Sequence, residues 1–189
     1  MRAALVFVSL IVLILSACEG KEKFIPKPPT YLKIELPERT YSTYMDTCSF
    51  SFLKPSYFSV KSVDRQSCNR DIELEGLNGT IHLSVIAMDT SLAAYVNYAI
   101  DKVDEHKVKA IAINDTNFIN AETRAYGTLF ELQGNVATPF QFYVTDSVSR
   151  FLSGILYFNA RPNYDSIRPV LNFVKEDIYE FMESVEWND

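Results

Sequence analysis

The stretch Phe140–Phe158, FQFYVTDSVSRFLSGILYF, decides the fold of this 189-residue chain. In both of its halves a strongly apolar set of residues alternates with a more polar set, which is the pattern of a half-buried strand. The polar segment Asp146–Ser149 between the halves is typical of a turn. The preceding segment, Arg124–Leu132, has strand character and ends in the turn Gln133–Asn135. We therefore predict a meander of three antiparallel strands, at 124–132, 140–145 and 151–159.

Two segments change from this period of two to helical spacing. The first predicted helix runs from Leu92 to about His106, with a residue of Asp89–Ser91 as its N-cap. The second spans 167–185 and has the stronger apolar stripe. Because each stripe must be buried against the sheet, we expect one helix on each face. The predicted class is α+β, an antiparallel sheet packed with an amphipathic mid-chain helix and a long C-terminal helix.

Shorter signals predict the rest of the sheet. Strand 48–52 alternates apolar and polar side chains, and strands 72–77 and 80–88 form a hairpin across Asn78-Gly79, a strong two-residue turn signal. The remaining elements are a short strand at 108–113 and an asparagine-rich loop up to Asn120. This order of elements is similar to the Mog1/PsbP-like fold, a likeness of topology that bears on architecture and not on activity.

Residues 1–17 have the parts of an export signal: a positive charge at Arg2, the apolar run Ala3–Leu15, and small residues before Cys18. Leu15-Ser16-Ala17-Cys18 resembles the bacterial lipobox, in which the cysteine receives a diacylglycerol and becomes the first mature residue. The alternatives are a transmembrane anchor, and a cleaved secretory protein with a buried or disulfide-bonded Cys18. The apolar run is shorter than the roughly 20 residues that span a bilayer, which favours the lipid anchor.

The predicted mature chain is a lipidated, charged and proline-rich tether, 18–30, followed by a single globular domain, 31–189. Removal of the signal takes away one arginine and no acid, so the net charge changes from −6 to −7. An acidic chain offers no electrostatic surface to nucleic acid. We expect the acyl chains on Cys18, and not charge, to hold the protein on a membrane of the envelope, facing the periplasm.

Two cysteines remain once Cys18 is assigned to the lipid. Cys48 and Cys68 are an even number in an oxidising compartment, so we predict that they pair. A metal pair and a catalytic thiol are the alternatives. The sequence has no Cys-x-x-Cys and only two histidines, His82 and His106, so we expect neither a metal nor another cofactor.

Residues able to perform catalysis are few, and we predict that the protein is not an enzyme. Glu73 and Glu75 lie two apart on a predicted strand and share a face, where paired acids are usually solvated. His82 also lies on a strand, where histidines are most often half-exposed sheet residues. The alternative function is an enzyme acting on an envelope polymer or polysaccharide, with His82 and a nearby acid as its reactive groups.

The polar face of the 140–159 hairpin is the predicted partner-binding surface. It offers hydrogen-bonding groups and rigid rings, a composition suited to protein contact. The residues assigned to it are Gln141, Tyr143, Tyr157 and Asn159 on the strands, with Asn135, Arg161 and Asn163 in nearby loops. The alternative is an ordinary solvated strand face or one covered by a helix.

Several stretches match one known family. They are Pro26–Pro37, Cys48–Tyr57, Leu77–Ser84, Gly134–Ser147, Phe151–Asn159, Pro162–Ser166 and Glu186-Trp187. Together they resemble the gliding-motility lipoprotein GldD family of gliding Bacteroidetes and their relatives. The resemblance implies a non-catalytic binding or scaffold lipoprotein of the gliding motility and type IX secretion machinery, with other proteins of that machinery as its partners.

Two serines match a sugar acceptor of this bacterial group. Asp146-Ser147-Val148 and Asp165-Ser166-Ile167 resemble the Asp-Ser/Thr-apolar sequence that takes an O-linked sugar. Both lie in predicted turns or helix starts, where Asp-Ser also occurs for capping alone. Glycosylation of Ser147 and Ser166 is therefore a weaker prediction than the lipid on Cys18.

Overall fold

The computed structural model describes residues 34–188. The predicted signal 1–17, the lipidation site Cys18 and the tether 18–30 lie outside the described residues. The elements, in chain order, are β1 Tyr41–Asp46, β2 Phe50–Pro55, β3 Phe58–Ser62, β4 Arg70–Leu74, β5 Gly79–Ala87, helix α1 Leu92–His106, a 3-10 turn Lys107–Lys109, β6 Ala110–Asn120, β7 Ala125–Gly134, β8 Phe140–Thr145, β9 Arg150–Phe158, helix α2 Tyr164–Glu183 and β10 Glu186–Trp187.

Two antiparallel sheets carry the architecture. The larger has seven strands in the order β3-β4-β5-β9-β8-β7-β6, and the smaller has the order β1-β2-β10. Strands β7, β8 and β9 pair as consecutive neighbours, as the alternation in the sequence predicts. The α+β class, with its antiparallel sheet, mid-chain helix and C-terminal helix, is confirmed.

Helix α2 covers the inner face of the seven-stranded sheet. Its apolar stripe is fully buried, and the residues that form it are Val170, Leu171, Val174, Ile178, Phe181 and Met182. Phe181 makes edge-to-face contacts with Phe52 of the small sheet and with Phe142 of β8, at ring-centroid distances of 4.4 and 5.6 Å. The main core therefore lies between α2 and the two sheets.

Buried polar contacts hold α2 in one position. Asp177, on the core side of α2, is fully buried and accepts hydrogen bonds from the phenol groups of Tyr41 and Tyr57. Arg39 lies beside the same carboxylate, with 3.2 Å between its Nε and the nearer oxygen, and its guanidinium stacks on the ring of Phe173 at 4.0 Å. Desolvation and the Asp177 carboxylate raise the pKa of both tyrosines, so they stay protonated donors.

A buried ion pair and a disulfide join the small sheet to the large one. The guanidinium of Arg70, in β4, binds Asp46, at the end of β1, through two hydrogen bonds of 2.6 Å. Cys48 and Cys68 are bonded beside this pair, with Cα atoms 5.8 Å apart. Burial would raise the pKa of Asp46, but the hydrogen bonds from Arg70 and from the Cys48 amide outweigh it and hold that pKa below its ordinary value.

Helix α1 lies on the outer face of the large sheet and is packed much less. Among its residues, all of which the structure describes, Val103 alone is buried, in a small cluster with Leu132 and Val136. The start at Leu92 and the end at His106 are as predicted. Ser91 occupies the N-cap position, although its side chain makes no capping hydrogen bond in the described structure. The helix is therefore fixed mainly at its C-terminal end.

Two sequence predictions of local structure are wrong, and one strand was not predicted. The segment predicted as a loop up to Asn120 continues β6, an 11-residue strand that pairs with β7 over nearly its whole length because Phe118 anchors it in the core. Strand β1 was not predicted, since its apolar pattern is weak. The 78–79 turn is longer than predicted: Gly76 and Asn78 carry positive φ, and Gly79 already pairs with Leu74.

Candidate functional site

An open groove of about 1050 Å³ separates helix α1 from the outer face of the sheet. Its floor is formed by three cross-strand pairs between β5 and β9. These pairs are His82–Ile155, Ser84–Ser153 and Ile86–Phe151. Because side chains alternate along a strand, the residues between them face the α2 core instead. The floor thus combines apolar and hydroxyl-bearing side chains.

Helix α1 supplies the opposite wall through Tyr95, Tyr98, Ala99 and Lys102, which recur at helical spacing. Tyr95 leans on Phe151 with ring centroids 5.5 Å apart, and its phenol donates a 2.6 Å hydrogen bond to Asp89. That hydrogen bond raises the pKa of Tyr95. The hydrogen bond to Glu105 likewise raises the pKa of Lys102, so this rim residue stays cationic.

A histidine and a carboxylate meet at one end of the groove. Asp71, in β4, is the cross-strand partner of His82, and 2.6 Å separates its Oδ1 from His82 Nδ1. The contact favours the tautomer with the proton on Nδ1, which leaves Nε2 as an acceptor whenever the ring is neutral. The His82 ring also contacts Tyr157 edge-on at 5.4 Å. Both side chains remain largely exposed, at 52 and 36% of their surfaces.

Gln141, which pairs with Ile155 from the β8 side, also lines the groove and is only 4% exposed. Its amide donates to Thr138 Oγ1 at 3.0 Å, and 3.5 Å separates it from Nδ1 of His106 at the end of α1. The expectation that Gln141 stands on a solvent-exposed strand face is therefore wrong. The strand alternation did point this side chain away from the main core, but α1 covers it.

Two of the predicted partner-binding tyrosines lie at or beside the groove. Tyr157 lines it next to His82. Tyr143 stacks on Phe151 with centroids 5.3 Å apart, and its hydroxyl accepts a hydrogen bond from Thr128 at 3.0 Å. Tyr143 therefore packs beside Phe151 on the same sheet face and is half-buried.

The three predicted loop residues and the predicted strand residue Asn159 lie outside the groove. Asn135 and Asn163 serve the start of α2: Asn135 Oδ1 accepts from the amide of Tyr164 at 2.9 Å, and Asn163 is the N-cap. The backbone of Asn159 bonds to Asn78 at the β4–β5 turn, and Arg161 is exposed in the loop that precedes α2. None of these four lines the groove, so the predicted surface divides into two regions.

The groove residues that the sequence analysis missed come mainly from α1. Tyr95, Tyr98 and Lys102 fall within the predicted helix, but we did not predict from the sequence that they border an open groove. Their position beside the small residues Ala94 and Ala99 was the available signal, since alanines on a helix face leave space against a sheet. Which strands lie beneath the helix follows from topology alone.

The two serines of the predicted sugar acceptors are both exposed. Ser147 stands in the β8–β9 turn, where the Asp146 carboxylate accepts from the amides of three following residues. Ser166 lies in the first turn of α2 and its amide bonds to Asn163. Both serines are therefore accessible to a glycosylating enzyme, and their glycosylation stays a prediction.

Within residues 34–188, no group of three or more histidine, cysteine or acidic side chains is arranged to hold a metal ion. Over the same part of the chain, no helix combines the length and the apolar character needed to cross a bilayer.

Fold and groove together define an α+β domain whose mid-chain helix stands over an open, aromatic-lined cleft. Across residues 21–187 the sequence matches the model of the family described as gliding motility lipoprotein GldD, and the chain belongs to that family. Membership means that the protein takes part in gliding motility as a lipoprotein, and it agrees with a membrane-anchored place in the cell envelope. A comparison with curated proteins finds no match.

Proposed function

We propose that this lipoprotein is a non-catalytic binding component of the gliding motility and type IX secretion machinery, and that the groove under α1 receives a segment of another protein of that machinery. The observation that carries the proposal is the weak packing of α1 above a floor that combines apolar and hydroxyl-bearing side chains. Tyr98, on the helix that borders the groove, is 58% exposed. An exposed aromatic ring is typical of a contact surface and is not expected on a helix that serves the stability of the fold alone.

The chemistry of the groove favours a polypeptide occupant. Its volume of about 1050 Å³ is at the upper limit for small-molecule sites and can hold several side chains. Ile86, which is 38% exposed, and Ile155 offer apolar contact, while Ser84 and Ser153 between them offer hydrogen bonds. A segment that presents apolar side chains together with backbone amides satisfies both, whereas a bare acyl chain would leave the hydroxyl groups unpaired.

Filling the groove tests the proposal. Ala94 and Ala93 are neighbouring exposed residues of α1, but only Ala94 lines the groove. We expect Ala94→Trp to reduce cell gliding and crosslinking to envelope partners, because the indole occupies the space the partner needs. Ala93→Trp, the matched control, should leave both unchanged. Membrane-fraction immunoblots establish that the two variants accumulate equally. Normal gliding of cells that carry a folded Ala94→Trp protein would refute the groove as the working surface.

The pairing of His82 with Asp71 supports one second candidate, an enzyme acting on an envelope polysaccharide. An oriented imidazole at the end of a cleft is a plausible general base. Under the binding proposal, His82→Gln reduces gliding less than Ala94→Trp does, because glutamine keeps a polar side chain on the groove floor. Glu73→Gln, on the same sheet face, is the control. Loss of gliding in His82→Gln, together with normal gliding in Ala94→Trp and product release from isolated envelope polysaccharide, would establish the enzyme instead.

Anchoring is a separate part of the proposal. The signal 1–17, the lipid on Cys18 and the tether 18–30 would hold the domain 31–189 at the membrane on its periplasmic side. Cys18→Ser should abolish acylation and release the protein from the membrane fraction. The check is mass spectrometry of the amino-terminal peptide. An unmodified Cys18 in membrane-bound wild type contradicts this anchor and leaves the groove proposal standing.

A further inference from the structure

Strand β6 is an unprotected edge of the seven-stranded sheet. It pairs with β7 on one side only, and every residue from Ile111 to Asn117 is exposed. Its sequence, AIAINDTNFIN, contains one charged residue and no proline. An edge of this kind presents a row of backbone N–H and C=O groups that another extended strand can pair with.

Strand β3, at the opposite edge of the same sheet, is protected against pairing with another strand. It is five residues long, and its Lys61 forms a 2.6 Å ion pair with Glu73 of the neighbouring strand. Short length and lysine are the usual devices that keep an edge from pairing. On β6 a bulge disturbs only the first positions, between Ala110 and Ala112. The regular segment from Ala112 to Asn120 remains open.

This segment is self-complementary. In an antiparallel pair of two copies centred on Thr116, Ile113 of each copy lies opposite Ile119 of the other. Asp115 then lies opposite Asn117, and Thr116 opposite itself. Ile119 is 77% exposed in the single chain, and cross-strand pairs of β-branched residues stabilise a sheet. Like charges are not directly opposed in this register, although the chain as a whole is acidic.

We propose that β6 pairs with β6 of a second copy of this chain, antiparallel and in register about Thr116, so that two seven-stranded sheets join edge to edge. A second extended backbone matches an open row of amide and carbonyl groups along its whole length, which favours a strand over lipid or sugar as the occupant. Tethering of both copies to one membrane raises their effective concentration. The groove under α1 belongs to the outer sheet face and is distinct from this edge.

Charge complementation tests the register in the full lipidated chain. Two differently tagged copies are expressed together and their co-recovery from detergent extracts is measured. Wild-type copies should co-recover. Thr116→Lys paired with itself, and Thr116→Glu paired with itself, should each lower recovery by about tenfold, because like charges face each other at the centre. Thr116→Lys paired with Thr116→Glu should restore it. Absence of wild-type co-recovery, or equal recovery in all combinations, overturns the proposal.

Cysteine crosslinking in intact membranes gives an independent reading. Thr116→Cys faces itself across the proposed axis and should form a disulfide-linked dimer on non-reducing electrophoresis. Asn114→Cys faces Phe118 of the other copy and should crosslink weakly, which makes it the control for register. Val148→Cys, in the exposed β8–β9 turn, controls for random collision. Equal crosslinking at all three positions contradicts the pairing, as does a dimer that forms from Val148→Cys alone.

Discussion

The two faces of the large sheet each carry one amphipathic helix, and the two helices are packed very differently. Helix α2 buries six apolar residues on the inner face and is fixed further by the Asp177 cluster. Helix α1 buries Val103 and leaves a groove of about 1050 Å³ between itself and the sheet. A stripe of apolar residues therefore predicts that a helix lies on the sheet. It does not determine how closely.

The difference separates stability from function. Close packing contributes most where apolar side chains lose all contact with water, as on the α2 face. The α1 face gives up part of that stabilisation and keeps an accessible cleft instead. Substitutions on the buried face of α2 should therefore lower the free energy of unfolding strongly. Substitutions on the groove face of α1 should affect stability little and partner binding more.

The largest expected effect is on the packed face. Phe181→Ala should lower the free energy of unfolding by about 3–5 kcal/mol, because the ring is buried against Phe52 and Phe142 and the cavity cannot close. Urea unfolding followed by circular dichroism measures the change. A loss below about 1 kcal/mol would mean that the α2 face is less tightly packed than described.

The second prediction concerns the link between the two sheets. Cys48 and Cys68 should be oxidised in exported native protein, and thiol labelling under denaturing, non-reducing conditions should detect neither. Replacing both by serine should cost roughly 3 kcal/mol, because the unfolded chain gains the freedom of the opened loop. Two reactive thiols in the native protein would show that the pairing is wrong.

Acid should weaken two sites at which a buried carboxylate accepts hydrogen bonds. Asp46 and Asp146 both have pKa values held below the ordinary value of about 3.9, in each case by hydrogen bonds that outweigh burial. Their stabilisation is fully present above about pH 4 and is lost as the pH falls through the lower folded-state pKa values. Unfolding free energy measured from pH 6 to 2 should drop at the acid end. In Asp46→Asn the drop should be smaller, and the free energy of unfolding at pH 6 should be lower than in the wild type.

The smallest effect belongs to the open face. Tyr98→Ala should shift the unfolding free energy by about 0.5 kcal/mol or less, since its ring is largely exposed. Under the proposed function it should nevertheless weaken partner crosslinking, because a rigid aromatic contact is lost. Urea titration beside Phe181→Ala provides the comparison. A destabilisation comparable to Phe181→Ala would remove the distinction between the two faces.

Local sequence determined most of the elements. Period-two alternation located β8 and β9, and helical spacing located α1, because both periods follow from backbone geometry and are visible within a few residues. Most of the asparagine-rich strand β6 could not be located from such a period. Its residues favour turns locally, and pairing with β7 together with the burial of Phe118 overrides that preference. The small strand β1 was missed because its apolar pattern is weak.

Placement of the site depended on tertiary structure. The sequence showed that Gln141 and Tyr157 point away from the main core, but not that α1 would cover the first and leave the second at an open rim. Likewise, Asp71 and His82 are 11 residues apart and meet only through the register of β4 with β5. Alternation fixes which face a side chain occupies. What stands opposite that face is decided by long-range packing, which no local period encodes.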